Sequence, residues 1–278
     1  MTQIGLQIWA TDYSASPVDV AVAAEERGFE SIFVPDHTHI PTVRRTPYPE
    51  GGDLPLEYLH LLDPIATLAA MAAATSRIRI GTAICLVVER DPIVLAKQIA
   101  TIDHLSGGRF EFGVGGGWNE EEMANHGTVF EKRWSVLRER VQAMRAIWSQ
   151  EKAEYHGTHV DFDPIWSWPK PVQHPGPPVL IGGSGPKAID RVLDYGDGWI
   201  PVIGWERGML LDRVAALRAA ARERGRPIPS VTAVAVNPKP DVIAELAAQG
   251  VDRALIALPV ADRDDMLRRL DRYAAVVS

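Results

Sequence analysis

One stretch decides how this chain is interpreted: VLIGGSGPKAI, residues Val179–Ile189. A short apolar strand runs into a cluster of glycines and then directly into a helical pattern. Glycine lets the backbone approach a ligand closely and adopt positive φ, and a helix N-terminus offers unpaired N–H groups and the positive end of its dipole. Gly183, Ser184 and Gly185 therefore predict an anion site suited to phosphate. The alternative is a glycine-rich helix entry that binds only water, and the spacing is not that of a P-loop.

This stretch lies late in an alternation of strands and helices. Most strand-like segments are continuous apolar runs, as expected for parallel strands covered on both faces. Eight such units predict a (β/α)8 TIM barrel, taken as a single domain over residues 1–278. A doubly wound sheet is the alternative, but eight strands would be many for it and nothing marks a reversal of strand order. The predicted strands are Gln3–Trp9, Ser31–Pro35, Ile78–Leu86, Phe110–Gly115, Pro178–Gly182, Gly198–Val202, Val231–Val236 and Arg253–Leu258.

Two long insertions interrupt this alternation. His37–Leu61 follows strand two and is polar and rich in Pro and Gly, and Glu151–Pro177 precedes strand five and is rich in Trp and Pro. Loops this long in a compact domain usually form lids or binding loops. We therefore expect both to shape specificity, and Trp166 and Trp168 either close over the substrate or pack on the barrel rim.

Composition excludes several classes of function. The net charge is −7 without a long charge run, which argues against a nucleic-acid-binding face. No apolar run approaches the ~20 residues of a membrane span, and the N-terminus shows no signal peptide. Cys85 is the only cysteine and lies in an apolar strand, so we expect a buried structural thiol and a cytoplasmic protein.

Catalytic groups of a barrel gather where strands end and βα loops begin. Strand two ends in Asp36-His37, the leading acid/base candidate, although a loop histidine capped by a local Asp is the alternative. Strand four ends in the run Gly113–Trp118, which lacks the third glycine of a dinucleotide fingerprint. We interpret this run, including Gly117, as backbone cleared for a flat ring with Trp118 as a wall, or else as a tight turn.

Other polar clusters give weaker signals. Two histidine pairs lack a clear third ligand, so we expect no metal. A run of glutamates after strand four is explained by helix N-terminal stabilisation. Two basic pairs are either solvated surface or a docking site for an anionic tail at the mouth. These segments are, in order, His37-x-His39 and His156-x-x-His159, Glu120–Glu122, and Arg44-Arg45 with Lys132-Arg133.

The ordered set of motifs resembles the luciferase-like flavin and deazaflavin oxidoreductases, with the branch assigned to coenzyme F420 as the best match. No single motif decides this, but the combination and its spacing are specific from about residue 26 to 202. The carboxyl-terminal third matches only as barrel completion. The matching segments are Glu26–His37, Ala72–Gly81, Ala96–Phe110, Gly113–Glu121, Pro178–Gly185 and Asp197-Gly198-Trp199.

The resemblance implies where a cofactor would bind. Its phosphate would lie on Gly182, Gly183 and Ser184, next to Gly185. A bulge after strand three, often with a cis non-prolyl peptide, would back the ring and maps onto Thr82-Ala83. Trp118 and Asn119 map onto the wall at the ring edge, and Asp36 and His37 onto a pair that touches ring and substrate. Family members are often homodimers.

The resulting functional hypothesis is reversible hydride transfer between a small organic substrate and coenzyme F420. His37 would move a proton or stabilise the polarised substrate, and Asp36 would contact or orient the ring. An FMN-dependent monooxygenase of the same superfamily is the nearest alternative. A phosphate-binding lyase or isomerase would require a lysine or metal-binding carboxylates at a strand end, and we find neither. A non-enzymatic cofactor carrier is a further alternative.

Overall fold

Eight parallel strands close into a barrel in the computed structural model, which describes residues 2–202 and 207–277, without the side chains of residues 207–211. Each strand pairs in parallel with its neighbours, and the last strand pairs with the first. The (β/α)8 prediction is therefore confirmed. The barrel strands are β1 (Gln3–Ile8), β2 (Ser31–Val34), β3 (Arg79–Thr82), β4 (Phe110–Val114), β7 (Val179–Gly182), β8 (Gly198–Ile200), β9 (Ser230–Val236) and β10 (Arg253–Leu258), with β5 (Ala153–His156) and β6 (Asp161–Ile165) outside the barrel.

Helices surround the barrel, and three begin with the same local device. Ser16, Asp63 and Asp91 each accept a hydrogen bond from a backbone N–H of the first turn, and proline follows at the first helical position. None of the helices in the described part of the chain has the length and apolar content needed to cross a membrane. The α-helices are α1 (Pro17–Glu26), α2 (Pro64–Ala74), α3 (Pro92–Ser106), α4 (Glu120–Asn125), α5 (Arg133–Ser149), α6 (Ala188–Tyr195), α7 (Arg207–Glu223), α8 (Pro240–Ala248) and α9 (Arg263–Ala274), with short 3-10 turns at Leu56–Leu59, Val87–Glu89 and Phe130–Lys132.

Two apolar layers and one polar cluster fill the barrel. The larger layer lies between strands and helices, and a smaller one occupies the interior, with Phe33, Leu180 and Leu255 among its members. At the end where the strands begin, Arg253 binds Glu30 at 2.7 and 2.9 Å and Glu111 at 2.7 and 2.8 Å. These charges satisfy one another. They close the lower end of the barrel and leave the opposite end for a ligand.

The third barrel strand is shorter than predicted. β3 ends at Thr82, and the chain then leaves the ladder in a bulge that carries a cis peptide between Ala83 and Ile84. Cys85 returns to form a single parallel bridge with Val114, and its thiol is buried, as predicted. The apolar run continues past β3 because the bulge also packs against the barrel. Hydrophobicity alone therefore did not reveal where β3 ends.

The second insertion contains a β-hairpin that the sequence analysis did not predict. β5 and β6 pair antiparallel and pack against α5. Most of their side chains are exposed or half-buried, so they lack the apolar pattern that identifies a core strand. The hairpin lies on the outside of the barrel.

Trp166 and Trp168 also lie on the outer wall. They are 70% and 56% exposed. Lys97 of α3 donates to the Trp168 carbonyl. Lys170 donates to the carbonyl of Ile147, near the end of α5, at 2.6 Å. This segment therefore follows the outside of α3 and α5, which matches neither of the two alternatives for these tryptophans, closure over the substrate or packing on the barrel rim.

Candidate active site

The bulge after β3 crosses the mouth of the barrel. The Ala83 amide donates to the Val34 carbonyl at 2.8 Å, and the Cys85 amide donates to the Gly113 carbonyl at 2.8 Å. The Gln7 side chain donates to the Ala83 carbonyl at 3.4 Å from the opposite side. Hydrogen bonds from β1, β2 and β4 thus fix this backbone across the strand ends, one peptide further along than the predicted position at Thr82-Ala83.

The glycines that end β4 make room for this bulge. A Cβ on Gly113 would collide with the Thr82 carbonyl, and one on Gly115 would collide with the Ile84 side chain. A Cβ on Gly182 would meet Ile84 Cγ2 at 3.0 Å. The interpretation of this glycine run as space for a ring is therefore wrong in its detail. The protein's own bulge fills the space, and binding of a flat ring on Ala83 and Ile84 stays a prediction.

His37 is held by a carboxylate that the sequence analysis assigned to helix capping. Its Nδ1 lies 2.7 Å from Glu122 Oε2, and the two side chains are 7% and 0% exposed. The other Glu122 oxygen accepts from the Thr38 amide at 3.1 Å. Asn119 is the N-cap residue of α4, and its side chain accepts from the Glu122 amide at 3.3 Å. With Nδ1 bound to the carboxylate, Nε2 is the nitrogen left for proton exchange.

Asp36 has a different set of partners. Its carboxylate is 2% exposed and accepts from the Leu86 amide at 2.9 Å and from Arg90 Nε and Nη2 at 3.0 and 2.8 Å. Although burial opposes it, the Asp36 hydrogen bonds raise the pKa of Arg90. Asp36 therefore anchors the far end of the bulge. Contact between Asp36 and a ring stays a prediction.

Aromatic side chains surround His37. Tyr58, from the 3-10 turn of the first insertion, lies 4.7 Å from Trp9 and 5.2 Å from His37 between ring centroids. The Trp118 ring lies 5.9 Å from His37, and the Arg44 guanidinium lies 5.4 Å from the Trp118 ring. The sequence predicted Trp118 as a wall but missed Tyr58, whose only signal was an aromatic residue in a long polar insertion.

Glu121 holds the first insertion against α4. It accepts from the Arg45 amide at 2.8 Å and from Thr46 Oγ1 at 2.7 Å. Although burial raises it, these hydrogen bonds lower the pKa of Glu121 to about 2. Consecutive glutamates on one short helix thus have separate duties, since Glu121 fixes the loop and Glu122 fixes His37.

The predicted phosphate loop lies at the same rim. Gly183 has φ +92° and its carbonyl accepts from Trp199 Nε1 at 2.8 Å. Arg213 donates to the carbonyls of Ser184 and Gly185. A Cβ on Gly185 would meet nothing within 4 Å. The loop therefore combines a positive-φ glycine with open space, which fits close approach of a phosphate.

Two arginines lie next to the Trp134 ring, which adjoins this loop. A Cβ on Gly183 would meet the Trp134 ring at 3.7 Å, and the guanidinium groups of Arg191 and Arg133 lie 3.5 and 5.3 Å from that ring. Burial lowers the pKa of both arginines, and the charge of Arg133 lowers that of Arg191 further. Neither arginine forms an ion pair with a carboxylate of the described chain. An anion at the loop would neutralise this repulsion.

The structure brings most predicted site residues to one rim. The His37 and Trp118 rings are neighbours, and Asn119 caps the helix that carries Glu122. Gly182, where the phosphate loop begins, lies against Ile84 of the bulge. Asn119 is 1% exposed, and its Nδ2 donor has no partner among the residues that the structure describes. Such a donor fits a polar atom at the edge of a bound ring. Gly117, at φ +69°, packs against Met123 and Leu86 and turns the chain toward α4.

Several relatives of this chain are named as oxidoreductases, and others have no assigned function. A Mycobacterium tuberculosis protein without an assigned function is 43% identical over 98% of this chain and 97% of its own length. The F420-dependent glucose-6-phosphate dehydrogenase of Nocardia farcinica is 31% identical over 77% of this chain and 61% of its own length.

Comparison with solved structures gives the same fold. The monooxygenase RslO1 of Streptomyces bottropensis superposes with a TM-score of 0.81 at 18% identity, covering 99% of this chain and 98% of RslO1. At that identity the likeness concerns the fold alone. The sequence profile of the luciferase-like monooxygenases matches residues 6–277. The chain therefore belongs to the luciferase-like monooxygenase family.

Proposed function

We propose that this protein is an F420-dependent oxidoreductase that transfers a hydride between the deazaflavin and a small organic substrate. The observation that carries the proposal is His37, held by the buried Glu122 beside a backbone bulge that shares its rim with an arginine-flanked loop. The F420 dependence of the Nocardia farcinica relative supports this cofactor over FMN. The charges of Arg133 and Arg191 suit its anionic tail as well as its phosphate.

The residues present fit such a cofactor. Gly182, Gly183, Ser184 and Gly185 would hold the phosphate, with Arg133 and Arg191 beside it. Ala83 and Ile84 would support the ring, and the unpaired Nδ2 of Asn119 would bind its edge. When bound, the deazaflavin supplies the carbon that exchanges hydride, while the protein supplies position and electrostatics.

His37 handles the proton in this scheme. When the substrate is oxidised, a hydride leaves its carbon and a proton leaves its heteroatom for His37 Nε2. The Nδ1–H group donates to the Glu122 carboxylate, which fixes the ring orientation and stabilises the imidazolium. In the reverse direction Nε2 returns the proton. Tyr58 and Trp118 limit the access of water to His37.

Equilibrium titration with each oxidised cofactor tests the proposal. We expect the fluorescence of F420 to change on binding. The Kd of F420 should be lower than the Kd of FMN. Arg191→Ala should weaken F420 binding about tenfold, the cost of one charge-assisted contact. Arg138→Ala, which removes a half-exposed arginine paired with Asp194, serves as the matched control.

The other hypotheses predict different results. Tight FMN binding without F420 binding would instead support a flavin-dependent monooxygenase. His37→Ala should abolish turnover while cofactor binding survives. Full activity in His37→Ala would exclude the proposed mechanism, and cofactor binding without any turnover in the wild-type protein would support a carrier.

The proposal extends to the whole chain, which we treat as one barrel domain that acts in the cytoplasm as a homodimer. The buried Cys85 thiol supports a reducing compartment. Apolar side chains on and beside α3 support self-association, since Val94, Leu105 and Val172 are 56%, 57% and 44% exposed. Trp168 adjoins α3 on the same outer wall.

A further inference from the structure

Glu89 is a buried carboxyl group that the proposed mechanism does not use. It ends the 3-10 turn Val87–Glu89 behind the bulge, and its side chain is 1% exposed. Neither carboxyl oxygen has a partner with good hydrogen-bond geometry in the described part of the chain, although the Glu122 carboxyl is close enough to add to the rise in the pKa of Glu89. A buried polar group without a partner is costly and rare, so a group of this kind needs an explanation.

The charges around Glu89 connect it to His37. Glu122 of α4 and Asp36 after β2 face it as carboxylates, and Arg90 follows it in the chain. Arg140 of α5 and His126 at the end of α4 complete its charged surroundings. Burial first, and then the Glu122 and Asp36 charges, raise the pKa of Glu89 to about 9. Near neutral pH, Glu89 therefore carries a proton directly behind the carboxylate that holds His37.

A cavity on the side of the barrel gives this proton a route to solvent. The cavity has a volume of about 360 Å³, lies between the start of α3, α5 and the β5–β6 hairpin, and is lined by Glu89, His126 and Arg140 among others. Nε2 of His126 lies 3.9 Å from Glu89 Oε2 but is bound to Thr38 Oγ1 at 2.7 Å, and the His126 ring is partly exposed. Burial, and then the charge of His39, lower the pKa of His126, so its ring is a poor acceptor for the Glu89 proton and that proton passes to solvent in the cavity.

We propose that Glu89 exchanges its proton with water in the side cavity, so that it loses the proton when His37 gains one and regains it when His37 loses one. The inference rests on the proposed proton transfer at His37, and it adds a positioning residue that acts through Glu122. Glu89 does not touch the substrate. Its part is to keep the charge of the buried cluster constant while His37 changes state.

Protons and charge are conserved through the whole cycle. A proton leaves the substrate and forms the Nε2–H bond of His37, which adds one positive charge beside Glu122. The Glu89 O–H bond then breaks, its proton passes to water in the cavity, and the Glu89 carboxylate offsets the imidazolium. After product release the Nε2 proton of His37 passes to water at the mouth of the barrel, and Glu89 takes a proton back from water in the cavity. In a buried cluster such compensation is worth more than in water.

Coupled titration of the two groups gives a test that needs neither substrate nor cofactor. The ring resonances of His37, followed by NMR from pH 6 to 10.5, should show an inflexion near pH 9 as Glu89 ionises. Glu89→Gln should abolish that inflexion. Asp161→Asn, which changes an exposed carboxylate at the rim of the same cavity, should leave it intact. An inflexion that survives in Glu89→Gln would overturn the inference.

Two further measurements keep the inference testable. In the wild-type protein labelled with ¹³C at glutamate side-chain carboxyls, one resonance should titrate near pH 9, and titration of every carboxyl below pH 6 would contradict us even if Glu89→Gln failed to fold. In turnover, Glu89→Gln should lower kcat about tenfold with KM and F420 affinity unchanged. Failure of F420 to bind wild-type protein would refute the proposed function but leave the NMR result to decide on Glu89.

Discussion

At the scale of single residues, the partner of His37 is the feature that sequence reasoning missed. The neighbour in sequence, Asp36, binds Arg90, whereas Glu122 lies 85 positions away and binds Nδ1. Adjacent residues on a strand point in opposite directions, so the pair Asp36-His37 could not be expected to touch. The three glutamates after strand four did predict a helix N-terminus, but which of them faces inward depends on how α4 packs against the mouth.

Replacement of Glu122 by Gln tests the role of that carboxylate. The amide keeps the shape but cannot stabilise an imidazolium, so we expect turnover to fall about 10- to 100-fold, as for other residues that orient a catalytic histidine. F420 affinity should not change. Glu120→Gln removes an exposed carboxylate two residues earlier on the same helix and should retain activity, whereas equal losses in both variants would contradict the assignment.

The stability of the protein should depend on the ionisation of Glu89. The pKa of this group is raised from an ordinary 4.5 to about 9, so the folded state binds its proton more tightly than the unfolded state does. The stabilisation is complete below pH 4.5 and is lost as the pH rises to about 9, by at most about 1.4 kcal/mol per pH unit. Denaturant unfolding should therefore show that the free energy of unfolding of Glu89→Gln rises relative to that of the wild type between pH 6 and 9. Parallel curves for the two proteins would contradict this.

At the scale of elements, the sequence predicted most helices and strands because their caps and apolar runs are local. Helix α6 has the predicted bounds Ala188–Tyr195, and strand β10 the predicted bounds Arg253–Leu258. The bulge after β3 was predicted from family resemblance, but its position was displaced by one peptide. Its partners are glycines of β4 and β7, whose purpose is visible only when three strands lie side by side.

Substitution at Gly115 tests the fit between β4 and the bulge. A methyl group there would collide with Cδ1 of Ile84, so Gly115→Ala should lower the free energy of unfolding by about 1–3 kcal/mol. Ile84→Val removes that Cδ1, and the double variant should recover most of the loss in a double-mutant cycle measured by urea unfolding. Strict additivity of the two substitutions would show that this contact does not carry the effect.

At the scale of the whole molecule, the two ends of the barrel have different compositions. The end where strands begin is closed by the ion pairs of Arg253 with Glu30 and Glu111, while the opposite end carries His37 and the phosphate loop. The sequence predicted this polarity from the residues at strand ends. It did not predict that the second insertion follows the outer wall, because its contacts with α3 and α5 involve lysines and backbone carbonyls that no apolar pattern announces.

The apolar side chains on that outer wall should mediate self-association. We expect light scattering after size exclusion to give twice the mass of the chain, and Val94→Arg to shift the protein toward the monomer because it places a charge in the patch. Val43→Arg, on an exposed residue of the first insertion, is the matched control and should leave the mass unchanged. A wild-type protein that stays monomeric at about 50 µM, a concentration well above the Kd of a stable dimer, would refute the proposed dimer.

The central claim is that one rim binds a phosphate at the Gly183–Ser184 turn and a flat redox ring on Ala83 and Ile84, within reach of His37. A crystal structure of the protein soaked with oxidised F420 tests it most directly. The account predicts electron density for the phosphate beside Ser184, the ring on the bulge and its edge at Asn119 Nδ2. An F420 molecule bound elsewhere, or a soaked crystal whose turn holds no phosphate at saturating F420, would contradict it.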